Sequence, residues 1–161
     1  MDRVNRLLHN INYRAYLKEI EELEDGRRFC KHDMNHLMDV ARIMMILKLE
    51  DGVDLPKETI YMTALLHDIG RGVQLKSGVP HEEAGAEIAE AILRECGYDD
   101  EAEIAQMIKA IQNHRNAEVK CDKDLNGLLY RADKLSRACF ACRAEAMCDW
   151  KADKKNLELN Y

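Results

Sequence analysis

Proline and glycine are scarce in this chain: two prolines and eight glycines stand among 161 residues, about half of average usage. Aromatic residues make up only 6%. Sandwiches and barrels need frequent turns and many strand-forming side chains, so an all-β fold is disfavoured. No run of about 18 apolar residues occurs, so no membrane-spanning helix is expected. Long basic runs are also missing, and 30 acidic residues against 24 basic ones leave a net charge of −6. That balance disfavours a surface that tracks nucleic-acid phosphates, although a few local cations could serve a small anionic substrate. The segment MDRVNRLLHNINYR has no apolar core of the kind that signal peptides carry. A cytoplasmic location is the expectation. There, six cysteines serve as thiols or metal ligands rather than as a disulfide framework.

What is present is helix-forming. Charged residues reach 34% and hydrophobic ones 47%, with Ala, Leu, Glu, Lys and Arg dominant. Val4, Leu7, Leu8, Ile11, Leu17, Ile20 and Leu23 follow helical spacing over residues 4–23. Leu37, Val40, Ile43, Met44 and Leu47 do so over 33–49, with Gly52 as a stop. Pro56 suits the first turn of a helix that runs to Gly70. Residues 71–80 read as the longest loop. A helix follows from about His81 to Gly97, another from the Asp99–Asp100 cap region to about His114, and a last one from about Asp124 to Cys142. The tail NLELNY alternates apolar and polar residues and reads as extended. The expected fold is all-α: about six helices in a single bundle over residues 1–161, with a cysteine-rich segment at 139–150.

Several ionisable residues do not fit a solvated surface. His67 and Asp68 end an apolar helix just before Gly70. Such a pair offers a nitrogen and an oxygen ligand side by side for Zn, Fe or Mn, or it merely caps the helix dipole. His36 lies on the buried edge of its helix, His81 opens a helix and His114 closes one. Asp133 sits in an apolar stripe with Leu128 and Leu129. One such histidine is usually a satisfied core residue. Four of them and two aspartates, on separate elements of one small bundle, point instead to convergence on metal.

His36-x3-Val-Ala, then Ala-Leu-Leu-His67-Asp68-Ile-Gly, then Asp133 resembles the HD-domain superfamily of metal-dependent phosphohydrolases. The likeness covers roughly residues 30–140 and implies an all-α fold. It also implies that His36, His67, Asp68 and Asp133 hold a first divalent transition metal (Fe, Mn, Zn or Ni). His81, in the HxxxGA-like HEEAGA, and His114, in IQNHR, would hold a second, with Asp68 bridging the two. Symmetrical dinucleoside tetraphosphate hydrolases, which are small and dinuclear, are similar in style. The GYP signature of cyclic-di-GMP phosphodiesterases is absent after His114, where the chain reads RNAEVK. The expected activity is hydrolysis of a nucleotide or related phosphate ester by a metal-activated hydroxide. Two other readings are a di-iron oxygenase of the same superfamily and a non-catalytic metal or redox sensor. His32, four residues before His36, shares its helix face and is an alternative ligand. With Asp33 it otherwise marks a helix start.

Cations near these positions are candidates for substrate binding: Arg71 after the HDIG motif, Arg115 after His114, Lys134 beside Asp133, and Arg137 one turn beyond it. Arg71 and Arg137 are placed at the mouth of the metal site, with direct roles beside His67 and Asp68 in catalysis. Lys76 falls in the expected loop and could close over substrate. Finally, Cys139, Cys142 and Cys148 fall within ten residues. The Cys-x2-Cys start suits zinc or an iron–sulfur cluster. Cys30 is the expected fourth ligand and Cys121 the alternative. Oligomeric state is left open.

Overall fold

Asn10 divides the N-terminal amphipathic run in two. In the computed structural model, which describes residues 1–161, it closes α1 (Asp2–His9) with extended backbone, and its side chain accepts a hydrogen bond from Tyr13 N at the start of α2 (Ile11–Leu23). An Asn side chain competes with the helix for backbone donors, so the single helix expected over 4–23 is two. Asp33 caps α3 (Met34–Asp51) by accepting from His36 N, and Gly52 ends it at φ 67°, where a side chain would be strained. Pro56 precedes α4 (Lys57–Leu66).

The segment read as a loop over 71–80 contains a helix, α5 (Arg71–Ser77), ended by Gly78 at φ 80°. Its glycine-flanked polar sequence concealed two turns of backbone hydrogen bonding. Then come α6 (His81–Glu95), α7 (Glu101–Asn113) and α8 (Leu125–Leu135), with a short 3₁₀ turn at Ala117–Cys121 before α8. The bundle thus has eight α-helices rather than six, and no strand.

The helix expected to reach Cys142 stops at Ser136. The tail intervenes: Asn156 Nδ2 donates to Lys134 O at 2.6 Å and to Arg137 O at 3.0 Å, and Asn156 O accepts from Phe140 N. Residues 139–154 form three short 3₁₀ turns, and the terminal residues are irregular rather than extended strand.

A continuous core of 29 buried residues joins the helices. The helix α3 packs on α4 and α8, α7 on α4, α6 and α8, α5 on α2 and α6, and α1 on α4. Tyr13, fully buried, donates its hydroxyl to Leu65 O, a carbonyl near the end of α4. The turn after α4 touches the start of α6 very closely. A Cβ added at Gly70 would lie 2.3 Å from His81 O and 2.4 Å from Gly85 N. Glycine at 70 therefore sets the approach of two elements that each carry site residues.

Two predictions follow from this packing. Gly70→Ala is expected to cost about 3 kcal/mol in denaturant unfolding, because both atoms it would meet are backbone. Glu58 binds the N-terminal amine, Arg3 N and Arg3 Nε. Burial opposes its charge, but these partners hold its carboxyl at about 2. A depressed folded pKa stabilises above the ordinary value of 4.5 and is lost as pH falls towards about 2. Glu58→Gln should cost on the order of 1 kcal/mol at neutral pH, and the gap from the parent chain should close in acid.

Candidate metal centre

Helix ends leave carbonyls without partners, and two histidines use this in the same way. His67, just past α4, lies with Nδ1 2.7 Å from Ala64 O. His114, just past α7, has Nδ1 2.6 Å from Ile111 O. A carbonyl only accepts, so each Nδ1 carries the proton and each Nε2 keeps its lone pair. His81, the first residue of α6, donates Nδ1–H to Gln74 Oε1 at 2.7 Å. Arg71 donates to the same oxygen at 2.6 Å. His36, in the first turn of α3, faces Ser136 Oγ at 3.2 Å. That hydroxyl donates to Asp133 O, so it accepts from His36 Nδ1–H. In the neutral ring, each of the four imidazoles therefore presents an unprotonated Nε2.

Those nitrogens point at Asp68, in the turn between α4 and α5. Its Oδ2 lies 3.3 Å from His36 Nε2 and 3.1 Å from His67 Nε2. Its Oδ1 lies 3.2 Å from His81 Nε2 and 3.7 Å from His114 Nε2. Asp133 Oδ1 completes the first side, 3.7 Å from His36 Nε2 and 3.9 Å from His67 Nε2. The donors form two trios, His36–His67–Asp133 and Asp68–His81–His114, each with its ligand atoms within 4.8 Å of one another.

This arrangement fits a cation. The Nε2 atoms of His36 and His67 are buried without a hydrogen-bond partner. The Nε2 atoms of His81 and His114 face each other at 3.0 Å, lone pair to lone pair. Such contacts repel unless positive charge lies between them. The carboxylates also call for charge. Burial opposes protonation of His67, yet Asp68 and Asp133 raise it to about 9. Burial lowers His114 to about 4, so it is neutral at pH 7. Burial opposes the charge on Asp133, and Lys134 beside it holds the carboxyl at about 2. Asp68 is likewise held well below the ordinary range against its burial by His67, His36 and His81.

The candidate cations are placed unequally. Lys134 Nζ bonds Asp133 Oδ2 and donates to His114 O at 3.1 Å. Arg71 is half-sequestered between Gln74 and Glu24. Arg115 pairs with Glu82, the neighbour of His81, at 3.2 Å. Lys76 is on α5, not in a loop, and pairs with Glu19 of α2 at 2.6 Å. Arg137 stacks over Trp150 at 3.9 Å and lines a cavity among the cysteines, so its contacts are not those of a metal-site mouth. That cavity brings together Cys30, Cys139, Cys142 and Cys148. Cys121 lies apart, exposed at the end of the turn before α8.

Three participants escaped the sequence reading. Glu24, a buried acid at the end of α2, accepts from His32 N at 2.9 Å, from His32 Nδ1 at 2.7 Å and from Arg71 Nε at 3.2 Å. This leaves His32 Nε2 facing Asp68 Oδ2 at 4.0 Å. Nothing distinguishes Glu24 among the acids of EELED. Gln74 and Ser136 were hidden by the misplaced boundaries of α5 and α8.

The HD-domain family profile matches residues 34–138. The chain belongs to the HD-domain family. It is 42% identical, over the full length of both chains, to an uncharacterised protein of Clostridium beijerinckii. It is 30% identical to ribonuclease Y of Enterococcus faecalis over 142 residues, 88% of this chain and 25% of that protein. Ribonuclease Y of Treponema denticola is 26% identical over 151 residues, 94% of this chain and 27% of that one. The chain thus spans about a quarter of the length of these ribonucleases. The crystal structure of a predicted HD superfamily hydrolase from an uncultured Thermotogales bacterium is similar, with a TM-score of 0.61 and 26% identity, covering 89% of this chain and 81% of that one. Family and neighbour support a metal-dependent hydrolase, and the histidine–aspartate groups are compatible with divalent metal. No helix of this HD-domain chain is long and apolar enough to cross a membrane.

The Ser136 hydroxyl fixes the tautomer of His36. Ser136→Ala should let the proton redistribute between its ring nitrogens, read by imidazole ¹⁵N shifts, and lower affinity for added Mn²⁺ by about 10-fold or more.

Proposed function

We propose that this chain is a dinuclear metal-dependent phosphohydrolase acting on a nucleotide or related small phosphate ester. The observation that carries this reading is the division of Asp68: one oxygen faces His36 and His67, the other faces His81 and His114. In this assignment His36, His67 and Asp133 hold one ion, His81 and His114 hold the other, and Asp68 serves both. Bound there, the ions would supply a Lewis acid for a phosphoryl oxygen and a water acidic enough to attack near neutral pH.

The chain's own residues do the positioning. His67 and His114 are fully buried, which shuts water out from below the centre. The His32, His36 and Lys134 side chains keep 18%, 12% and 30% of their surface exposed. Substrate therefore approaches on this side. Lys134 offers an ammonium at the edge of the centre to a phosphoryl oxygen. Glu24 holds His32 with Nε2 turned towards the centre and anchors Arg71, which in turn fixes Gln74 against His81. Arg115, paired to Glu82, flanks the second ion's side. Ribonuclease names among the relatives bring phosphodiesters into the candidate range. A net charge of −6 favours a small ester over a long polyanion. The whole of 1–161 then acts as one HD unit, with the cysteine segment as its appendage.

The test uses bis-p-nitrophenyl phosphate and a nucleotide panel with Mn²⁺ or Fe²⁺. Asp68→Ala is expected to remove turnover, by at least about 100-fold, with helical circular dichroism unchanged. Retained turnover would take the HD pair out of the mechanism. His81→Ala and His114→Ala should each lower bound metal by about one ion per chain; unchanged stoichiometry would leave a mononuclear site. Oxygen uptake without phosphate release would replace hydrolysis by the oxygenase chemistry.

A further inference from the structure

The last part of the chain has no core of its own. No residue after Asp133 is buried, and Phe140, Met147 and Trp150 are 53%, 57% and 46% exposed. Yet residues 139–154 adopt three successive 3₁₀ turns rather than one of the bundle's helices. A segment that buries so little cannot hold its shape by hydrophobic packing and needs a cross-link or a metal. None of the six cysteines forms a disulfide.

Four of those cysteines line one cavity of about 200 Å³: Cys139, Cys142 and Cys148 from the segment, and Cys30 from the connection between α2 and α3. The cavity wall also carries Arg28, Arg137 and Lys155, the last paired with Glu145 at 2.7 Å, which leaves an excess of cations. Their positive charge suits a set of thiolates, whose ligated centre is an anion.

We propose that Cys30, Cys139, Cys142 and Cys148 ligate a [4Fe–4S] cluster that staples the C-terminal segment to the bundle. Sulfur spacing favours a cluster over a lone ion. Tetrahedral zinc, with bonds of about 2.3 Å, draws its four sulfurs to about 3.8 Å from one another. The groups of potential ligand atoms that close to within 4.8 Å are the two histidine–aspartate trios, and the cysteine sulfurs form no such group. Four irons and four sulfides fill space that a single ion leaves empty, and they keep the thiolates apart. The Cys-x2-Cys-x5-Cys run with one remote cysteine supplies the four thiolates that such a cluster takes. This site is independent of the histidine–aspartate centre: its ligands are soft where those are imidazole and carboxylate.

The experiment is acid-labile sulfide and iron per chain, on full-length protein purified anaerobically and on the same protein reconstituted with ferrous iron and sulfide. About four sulfides per chain are expected, with visible absorption that dithionite bleaches and a paramagnetic signal in the reduced state. Cys30→Ser and Cys142→Ser should each lose most of the sulfide, while Cys121→Ser and Asp68→Ala keep it. Sulfide is not read by the phosphatase assay, so this proposal and the hydrolase reading fail separately. No sulfide in the reconstituted parent chain overturns the cluster, and so does one zinc without sulfide. Full retention of sulfide in Cys30→Ser overturns the four-cysteine assignment. The signal of the parent protein needs no variant to fold.

Discussion

A single buried carboxylate organises this molecule. Asp68 is nearly inaccessible, yet it stays ionised, chiefly because the His67 ring beside it takes up positive charge. Burying a carboxylate without compensation is far too costly for a fold of this size, so every element that touches Asp68 must bring a polar atom at the right angle. The fold meets that demand with helix ends. His67 and His114 satisfy last-turn carbonyls through Nδ1 and so turn Nε2 inward. The same hydrogen bonds that finish α4 and α7 thus define the tautomers at the centre. Structural capping and site chemistry are one set of interactions, which is why the termini of five helices gather at one point.

The close contact of Gly70 with the start of α6 extends this logic. His81 reaches Asp68 only because α6 begins against the turn that carries Asp68. A bulkier residue at 70 would move His81 away from Asp68 and so open the second trio. The polar supports are similarly economical. Gln74 Oε1 serves both Arg71 and His81, and Glu24 serves both His32 and Arg71. A loss at one of these positions reaches two others, and Arg71 links the pair.

The all-α class was legible because it rests on local signals, and so were the six candidate ligands that the structure gathers into two groups. Apolar spacing marked the helices, and ALLHDIG placed an ionisable pair where a helix should be apolar to its end. Boundaries were less legible where a distant residue decides them. The stop of α8 depends on Asn156, twenty residues away, and no periodicity near Ser136 reports it. The break at Asn10 depends on whether its side chain or the helix captures a backbone donor, a near-balanced choice. The helix α5 is polar and flanked by glycine, so it gave no amphipathic stripe. The missed bounds of α5 and α8 hid the supporting residues Gln74 and Ser136. Arg137 was misplaced for a related reason: one turn beyond Asp133 shares its face only while the helix continues, and α8 ends first.

The same two chain segments supply all four cavity cysteines and two of the six histidine–aspartate ligands, His36 and Asp133. The connection from α2 to α3 carries Cys30 and His32, and leads directly to His36. The end of α8 carries Asp133 and Ser136, and leads directly to Arg137 and Cys139. On the histidine side these segments meet through His36 and Ser136. On the cysteine side they meet across the cavity. A residue between two fixed points has less freedom than one on an open loop, and His32 stands between Cys30 and His36. Glu24 then removes its remaining rotation by holding Nδ1. His32 is therefore constrained in three ways: by the start of α3 just after it, by Glu24 at its Nδ1, and by Cys30, two residues before it, at the cysteine cavity. Because the segment after α8 buries no residue, the third of these constraints is only as firm as whatever joins Cys30 to Cys139, Cys142 and Cys148.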